Sequence, residues 1–282
     1  MNQIDIPLPD SSATKISVFE NGVNGNNVVI LFPAMGVAAS YYENFAKALS
    51  SRNITVITAD LRGLGHSSVR PSSRSDFGFR EMLELDYKGI ISKAHSLFPG
   101  KRIYILGHSL GGILGSLYIS KYPDKVDGLI LIASVNIYYK GWRGFDRWKT
   151  LFGTQFFYLL SSVLGYFPGH RVGFGGKGAA RVIKDWSYTA RTGKYKVEGV
   201  DFEKKLKDVT SPVLAISFSK DELAPLTAVE NLLSKFNPQA VVTREHLENI
   251  QGSNKPYSHY NWVKNPNEVA ERIAAWLKLQ KV

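Results

Sequence analysis

Residues 103–115 read IYILGHSLGGILG. The first four residues favour a strand, and residues 110–122 have a helical composition. Between them, Gly107, Ser109 and Gly111 form G-x-S-x-G at a strand-to-helix turn. A serine on so tight a turn takes strained backbone angles, and the strand and helix then approach closely. The residues two before and two after it must lack a Cβ, and both are Gly. The helix start would place the backbone N–H of Leu110, with the positive end of a dipole, beside an oxyanion formed at Ser109. Ser109 is therefore the candidate nucleophile. A small residue in a tight connection would explain the glycines equally well, so the rest of the chain has to decide.

Outward from this turn, the strand candidates are residues 15–20, 28–32, 54–59, 129–135, 213–218 and 240–243. Helical spacing covers residues 41–49, 80–97 and 267–279, the last with Pro266 at its start. A turn, NGVNGNN, is expected over 21–27. Strands apolar on both faces, alternating with helices, predict βαβ units around a buried, mostly parallel sheet. The alternation fails over 136–208, where no comparable strand run occurs. Fifteen Phe, Tyr and Trp residues lie between Tyr138 and Tyr195. This segment reads as a mainly helical, aromatic cap inserted after the sixth strand. The expected organisation is one discontinuous core domain, 1–135 with 209–282, and a cap over 136–208.

A serine nucleophile needs a base, and the base needs an orienting acid. In a sheet of this kind the chain order is Ser, then acid, then His. Three histidines follow Ser109: His170 in the cap, His246 after the 240–243 strand, and His259 in the loop PYSHYNW before the last helix. A loop histidine can swing over the turn, which favours His259. For the acid, Asp221 stands just past the 213–218 strand, with Glu222 as the alternative. The second oxyanion donor should come from the turn after 28–32, where the N–H of Met35 or a neighbour could point at the site. Asp60 and Arg62, in DLRGLGHS, are expected to brace their loop.

The chain has 282 residues, 44% hydrophobic and 21% charged, with no cysteine. Disulfides, thiolate metal sites and cysteine nucleophiles are excluded. The triad chemistry needs no metal or organic cofactor. No basic start or apolar stretch opens the sequence, so no signal peptide is expected and a cytoplasmic location is the default. The net charge is +11. Residues 136–199 hold eleven Lys and Arg against three acids, an excess of eight. Such a surface is either simply solvated or attracts an anionic or amphiphilic substrate, or an anionic membrane surface contacted peripherally through the cap. No zinc finger, RNP-like motif or basic heptad helix argues for nucleic acid. The run GFGGKG at 173–178 matches G-x-G-x-x-G, but turn residues precede it where a dinucleotide site needs a strand. It reads as a mobile glycine-rich loop of the cap.

GHSLGG at 107–112, DLRGLGHS at 60–67, the late carboxylate and the late loop histidine resemble the α/β-hydrolase superfamily. FPAMG at 32–36, YFPGHRVGFGG at 166–176 and DWSYTARTGKY at 185–195 resemble a bacterial group of predicted α/β hydrolases. Its nearest broader relatives are serine aminopeptidases and monoacylglycerol lipase-like enzymes. The resemblance implies an α/β-hydrolase fold and a Ser109–His259–Asp221 hydrolase, with Met35 and Leu110 as oxyanion donors. Many relatives have His-Gly where this chain has Pro33-Ala34, which leaves the register of Met35 open. Serine rather than aspartate at the turn separates the chain from epoxide hydrolases and dehalogenases. The expected activity is hydrolysis of a small carboxylic ester or thioester with an apolar acyl or aryl group. A peptidase or amidase would need acids to grip a free amino terminus, and the cap has three. A catalytically silent ligand-binding protein of this fold is the remaining alternative, against which the intact Ser-Asp-His set argues.

Overall fold

The computed structural model describes residues 2–22 and 25–280. The chain opens with β1 (Asn2–Pro7), β2 (Ala13–Phe19) and β3 (Asn27–Phe32), then α1 (Glu43–Ser50) and β4 (Thr55–Ala59). Helix α2 (Phe79–Glu81), a π-helical stretch over Met82–Tyr87 and α3 (Lys88–Leu97) follow without a break. Next come β5 (Arg102–His108), α4 (Leu110–Lys121) and β6 (Gly128–Ile132). The segment after β6 holds α5 (Asp146–Leu164), β7 (Tyr166–Pro168), α6 (Gly169–Val172), β8 (Lys177–Ala179) and α7 (Ala180–Thr192). It continues with β9 (Lys196–Val197), β10 (Val200–Asp201) and α8 (Phe202–Leu206). The chain closes with β11 (Val213–Phe218), α9 (Leu226–Leu233), β12 (Val242–Leu247) and α10 (Pro266–Leu279).

Eight strands form one sheet in the order β1-β2-β4-β3-β5-β6-β11-β12. Every pair from β4 onward is parallel, and the β1–β2 and β2–β4 pairs are antiparallel. Strands β4, β6 and β11 are buried along their whole length, and β3 and β5 at all but their first residue. That double-sided burial is why these runs are almost wholly apolar, and why their carboxyl ends alone are free to carry polar chemistry. Gly107 on β5 and Gly111 on α4 are where strand and helix touch. A Cβ on Gly107 would sit 2.2 Å from the nitrogen of Gly112, and one on Gly111 would sit 2.3 Å from the carbonyl oxygen of Phe32. Neither could be accommodated.

The helix expected over 80–97 is helical throughout, but it widens to a π turn at Met82–Tyr87. The π turn coincides with two inward contacts: Asp86 meets Arg62, and the Tyr87 hydroxyl donates to the carbonyl of Gly111 at 2.6 Å. The sixth strand ends at Ile132, three residues before the expected end, and Ala133 takes a positive φ. The strand expected over 240–243 runs instead over Val242–Leu247, so His246 lies inside it rather than after it. Between β6 and β11 the chain is mainly helical, as expected. It also contains two small antiparallel hairpins, β7–β8 and β9–β10, too short to show a period in the sequence. Phe202 and Leu206 of α8 are buried in the main core. The expected 21–27 turn includes Val23 and Asn24, which lie outside the described residues. Among the described residues, no helix is long and apolar enough to cross a membrane.

Candidate active site

Ser109 stands between β5 and α4 with φ 52° and ψ −114°, a combination an L-residue holds only when its surroundings compel it. Its own N–H is bonded to the carbonyl of Ile132 at 2.9 Å, which ties the turn to β6. The N–H of Leu110, at the first position of α4, has no hydrogen-bond partner among the described residues. It therefore remains available as a donor, next to Ser109.

The loop after β3 resolves part of the Met35 register. The Ala34 N–H is taken by the Tyr42 hydroxyl at 3.0 Å, and the Val37 N–H by the carbonyl of Ala34 at 3.1 Å. Only Met35 and Gly36 retain unpaired N–H groups in this turn among the described residues. Met35, Ser109 and Leu110 line one cavity of about 900 Å³, together with Asp221 and His259.

Asp221 follows β11, and its side chain is fully buried. Its carboxylate oxygens lie 3.0 and 2.9 Å from Nδ1 of His259. Oδ1 also accepts the N–H groups of Leu223 and Ala224, so the turn after β11 holds the carboxylate in place. His259 is 6% exposed, and its loop is fixed by the Trp262 indole N–H, which donates to the His259 carbonyl at 3.1 Å. A carboxylate on Nδ1 selects the tautomer that leaves Nε2 free as an acceptor.

The other candidates separate cleanly. His246 also borders the cavity, but its Nδ1 meets the Ser217 hydroxyl at 2.8 Å and no carboxylate. His170 sits in α6, exposed. Glu222 lines the cavity without contacting a histidine, while its carbonyl accepts the Trp142 indole N–H. Asp60 and Arg62 brace loops, as expected. Asp60 accepts the N–H groups of Ala39 and His66, and Arg62 forms a buried pair with Asp86.

Two residues that sequence reasoning passed over belong to this centre. His108 is wholly buried, its Nδ1 lies 2.7 Å from the Tyr42 hydroxyl, and its ring centroid is 4.8 Å from that of His259. Burial, with His259 alongside, drives the His108 pKa far below the usual imidazole range, so it stays neutral. The Tyr42 hydroxyl accepts the Ala34 N–H and shares a hydrogen bond with Nδ1 of His108. Nothing in SYYEN distinguishes Tyr42 from a packing residue, and His108 is only a variable position of the turn motif.

The cavity lining combines apolar side chains, Ile113, Val135, Trp142, Phe157 and Trp186 among them, with the charged Arg143, Asp146, Lys149, Lys220 and Glu222. The glycine-rich run at 173–178 is no nucleotide cradle. It packs on the loop after β3, where a Cβ on Gly36 would lie 2.1 Å from the Gly175 carbonyl oxygen.

The family described as serine aminopeptidase, S33, matches residues 24–164, half of the chain. The human serine hydrolase BPHL is 27% identical over 240 residues, covering 76% of this chain and 73% of its own. A thermophilic esterase from Thermogutta terrifontis superposes with a TM-score of 0.65 at 17% identity, covering 99% of this chain and 98% of the other. The monoacylglycerol lipase of Paleococcus ferrophilus superposes with a TM-score of 0.63 at 15% identity, covering 94% and 98%. The structural likenesses show an α/β-hydrolase fold.

Proposed function

The chain belongs to the S33 serine aminopeptidase family of α/β-fold serine hydrolases, and from that premise we propose that it hydrolyses a carboxylic ester or thioester through an acyl-enzyme. The observation that carries this reading is the buried Asp221–His259 pair over a cavity that Ser109 also lines. In the proposed mechanism, Ser109 Oγ attacks the acyl carbonyl. His259 Nε2 takes its proton and returns it to the leaving alcohol or thiol. Asp221 holds the tautomer and stabilises the imidazolium. The N–H groups of Leu110 and Met35 receive the oxyanion, each contributing on the order of 3 kcal/mol. Water then attacks the acyl carbonyl as His259 accepts its proton, and collapse breaks the bond to Ser109 Oγ, which takes that proton back from His259 as the acid product leaves.

The apolar wall of Ile113, Val135, Trp142, Phe157 and Trp186 supports an apolar acyl or aryl group. Lys220 on the cavity wall supports a negative charge elsewhere on the substrate. A core of 1–135 with 209–282 and a cap over 136–208 belong to the same proposal, as does a cytoplasmic setting for this cysteine-free chain. The test is labelling with a fluorophosphonate, with hydrolysis of short and medium p-nitrophenyl esters. Wild type should label and turn over esters, and Ser109→Ala should do neither. An unlabelled wild type would sink the catalytic reading in favour of ligand binding.

A second reading, aminopeptidase or amidase, is favoured by the family description and by Glu222 on the cavity wall, where a free amino group could be held. Aminoacyl anilides turned over in preference to the esters would establish it instead.

A further inference from the structure

Helix α5 has two faces with different surroundings. One face, with Thr150, Gly153, Thr154 and Phe157, lines the cavity over Ser109. The other carries Trp148, Phe152, Phe156, Leu159 and Val163, continuous with Phe145 at the N-cap. All six are exposed, from 44% at Trp148 to 76% at Val163. Their spacings of three and four residues place them within an arc of roughly 80° at about 100° per residue. This is a continuous apolar ridge on the surface, not a scatter of single exposed residues.

The charges around it are one-sided. Asp146, the only acid of α5, is paired with Lys149 at 2.9 Å. The other two acids of 136–199 are also engaged: Glu198 with Arg80 and Arg181, and Asp185 with the Phe79 N–H. Lys140 and Arg143, exposed just before the N-terminal end of the ridge, form no ion pair among the described residues. Aromatic residues beside unneutralised cations complement a surface that is apolar beneath and anionic on top. With 19 residues, α5 is not apolar enough to cross a bilayer, so its placement would be in the plane of the interface.

We propose that the outer face of α5 docks on an anionic lipid bilayer. The ridge enters the acyl boundary, and Lys140 and Arg143 meet the headgroups. Docking does not depend on the ester-hydrolase reading. Only one consequence rests on that reading: the helix lying on the lipid would be the helix that walls the catalytic cavity.

The test is co-sedimentation of the full chain with vesicles of phosphatidylglycerol and phosphatidylcholine, against pure phosphatidylcholine. Binding to the anionic vesicles should exceed binding to the neutral ones and weaken as salt is raised. The Phe152→Asp/Phe156→Asp variant should bind about tenfold more weakly or worse, with unchanged thermal unfolding and unchanged hydrolysis of a soluble short ester. Lys140→Glu/Arg143→Glu should lose the anionic preference. The blue shift of tryptophan fluorescence on vesicles should shrink in Trp148→Phe. Wild type that ignores both vesicles, or a double aspartate variant that binds like wild type, would overturn the proposal. So would a dimer in sedimentation equilibrium that Phe152→Asp dissociates, since the ridge would then belong to a second copy. Vesicle binding without ester turnover would retain the docking and remove the ester reading.

Discussion

The Tyr42 hydroxyl lies 2.7 Å from Nδ1 of His108, and through it the loop carrying Met35 is tied to the strand that presents Ser109. His108 has no exposed surface, so neither partner can be replaced by water at no cost. Tyr42→Phe strands the Ala34 N–H and the His108 nitrogen in a buried site. We expect a loss of about 1–3 kcal/mol in stability. Ester turnover should fall roughly tenfold in kcat with little change in KM, because the loop would hold the oxyanion donor less firmly rather than lose a substrate contact. An unchanged kcat would show that the loop is positioned by packing alone.

Asp221→Asn should reduce kcat/KM for the best p-nitrophenyl ester by about 10⁴-fold while folding normally, because the amide admits the wrong imidazole tautomer. Glu222→Gln should leave ester turnover within about threefold, since Glu222 touches no histidine. A larger loss in the Glu222 variant than in the Asp221 variant would reverse the assignment of the acid.

Asp185 on α7 accepts the Phe79 N–H at 2.9 Å, and burial raises its pKa from 3.8 to about 6. The folded state therefore keeps this proton over a range in which the unfolded chain has released it. Stability from this group is greatest below the unfolded value and falls as pH rises through about 6. Asp185→Asn keeps an acceptor for Phe79 and removes the charge. It should stabilise the protein above pH 7 by about 1–3 kcal/mol and make no difference near pH 3. Denaturant unfolding of both proteins at the two pH values checks it, and equal destabilisation at both would disprove it.

Arg62 and Asp86 form a buried pair with contacts at 3.0–3.1 Å, and both side chains are almost wholly inaccessible. Asp86→Ala leaves the guanidinium buried with only Asp10 nearby. A loss of roughly 3–5 kcal/mol is expected, larger than for Asp10→Ala at the partly exposed end of the same cluster. Equal losses for the two variants would contradict it.

Gly36 adopts φ +73°, and an added Cβ would meet the Gly175 carbonyl at 2.1 Å. Gly36→Ala should therefore push the 173–176 loop away from Met35. Ester kcat should fall at least tenfold, with a smaller effect of Gly173→Ala, where nothing lies within 4 Å. Equal effects would mean that backbone strain, not the loop contact, matters.

The parts of the candidate site were readable along the chain. G-x-S-x-G between a strand and a helix, an aspartate after a late strand and a histidine before the last helix are each confined to a few neighbouring residues. The apolar runs of β3 to β6 and β11 announced a doubly covered sheet because burial on both faces leaves no polar alternation. What failed were elements whose cause is distant. His246 was misplaced because β12 is an edge strand, where polar residues such as Arg244 and Glu245 are tolerated and the apolar signal ends early. The π turn at Met82–Tyr87 shares its apolar period with an ordinary helix over so short a span.

The sequence by itself determined the sheet, the strained Ser109 turn and the chain order of the candidate site residues, because these depend on local steric rules and on strand burial. Tertiary structure alone decided which histidine meets Asp221 and which N–H groups after β3 stay unpaired. It also showed that Tyr42 and His108 link that loop to the turn, and which face of α5 is left in water. Those depend on contacts between residues up to 66 positions apart in the Tyr42–His108 case, and no local period records them.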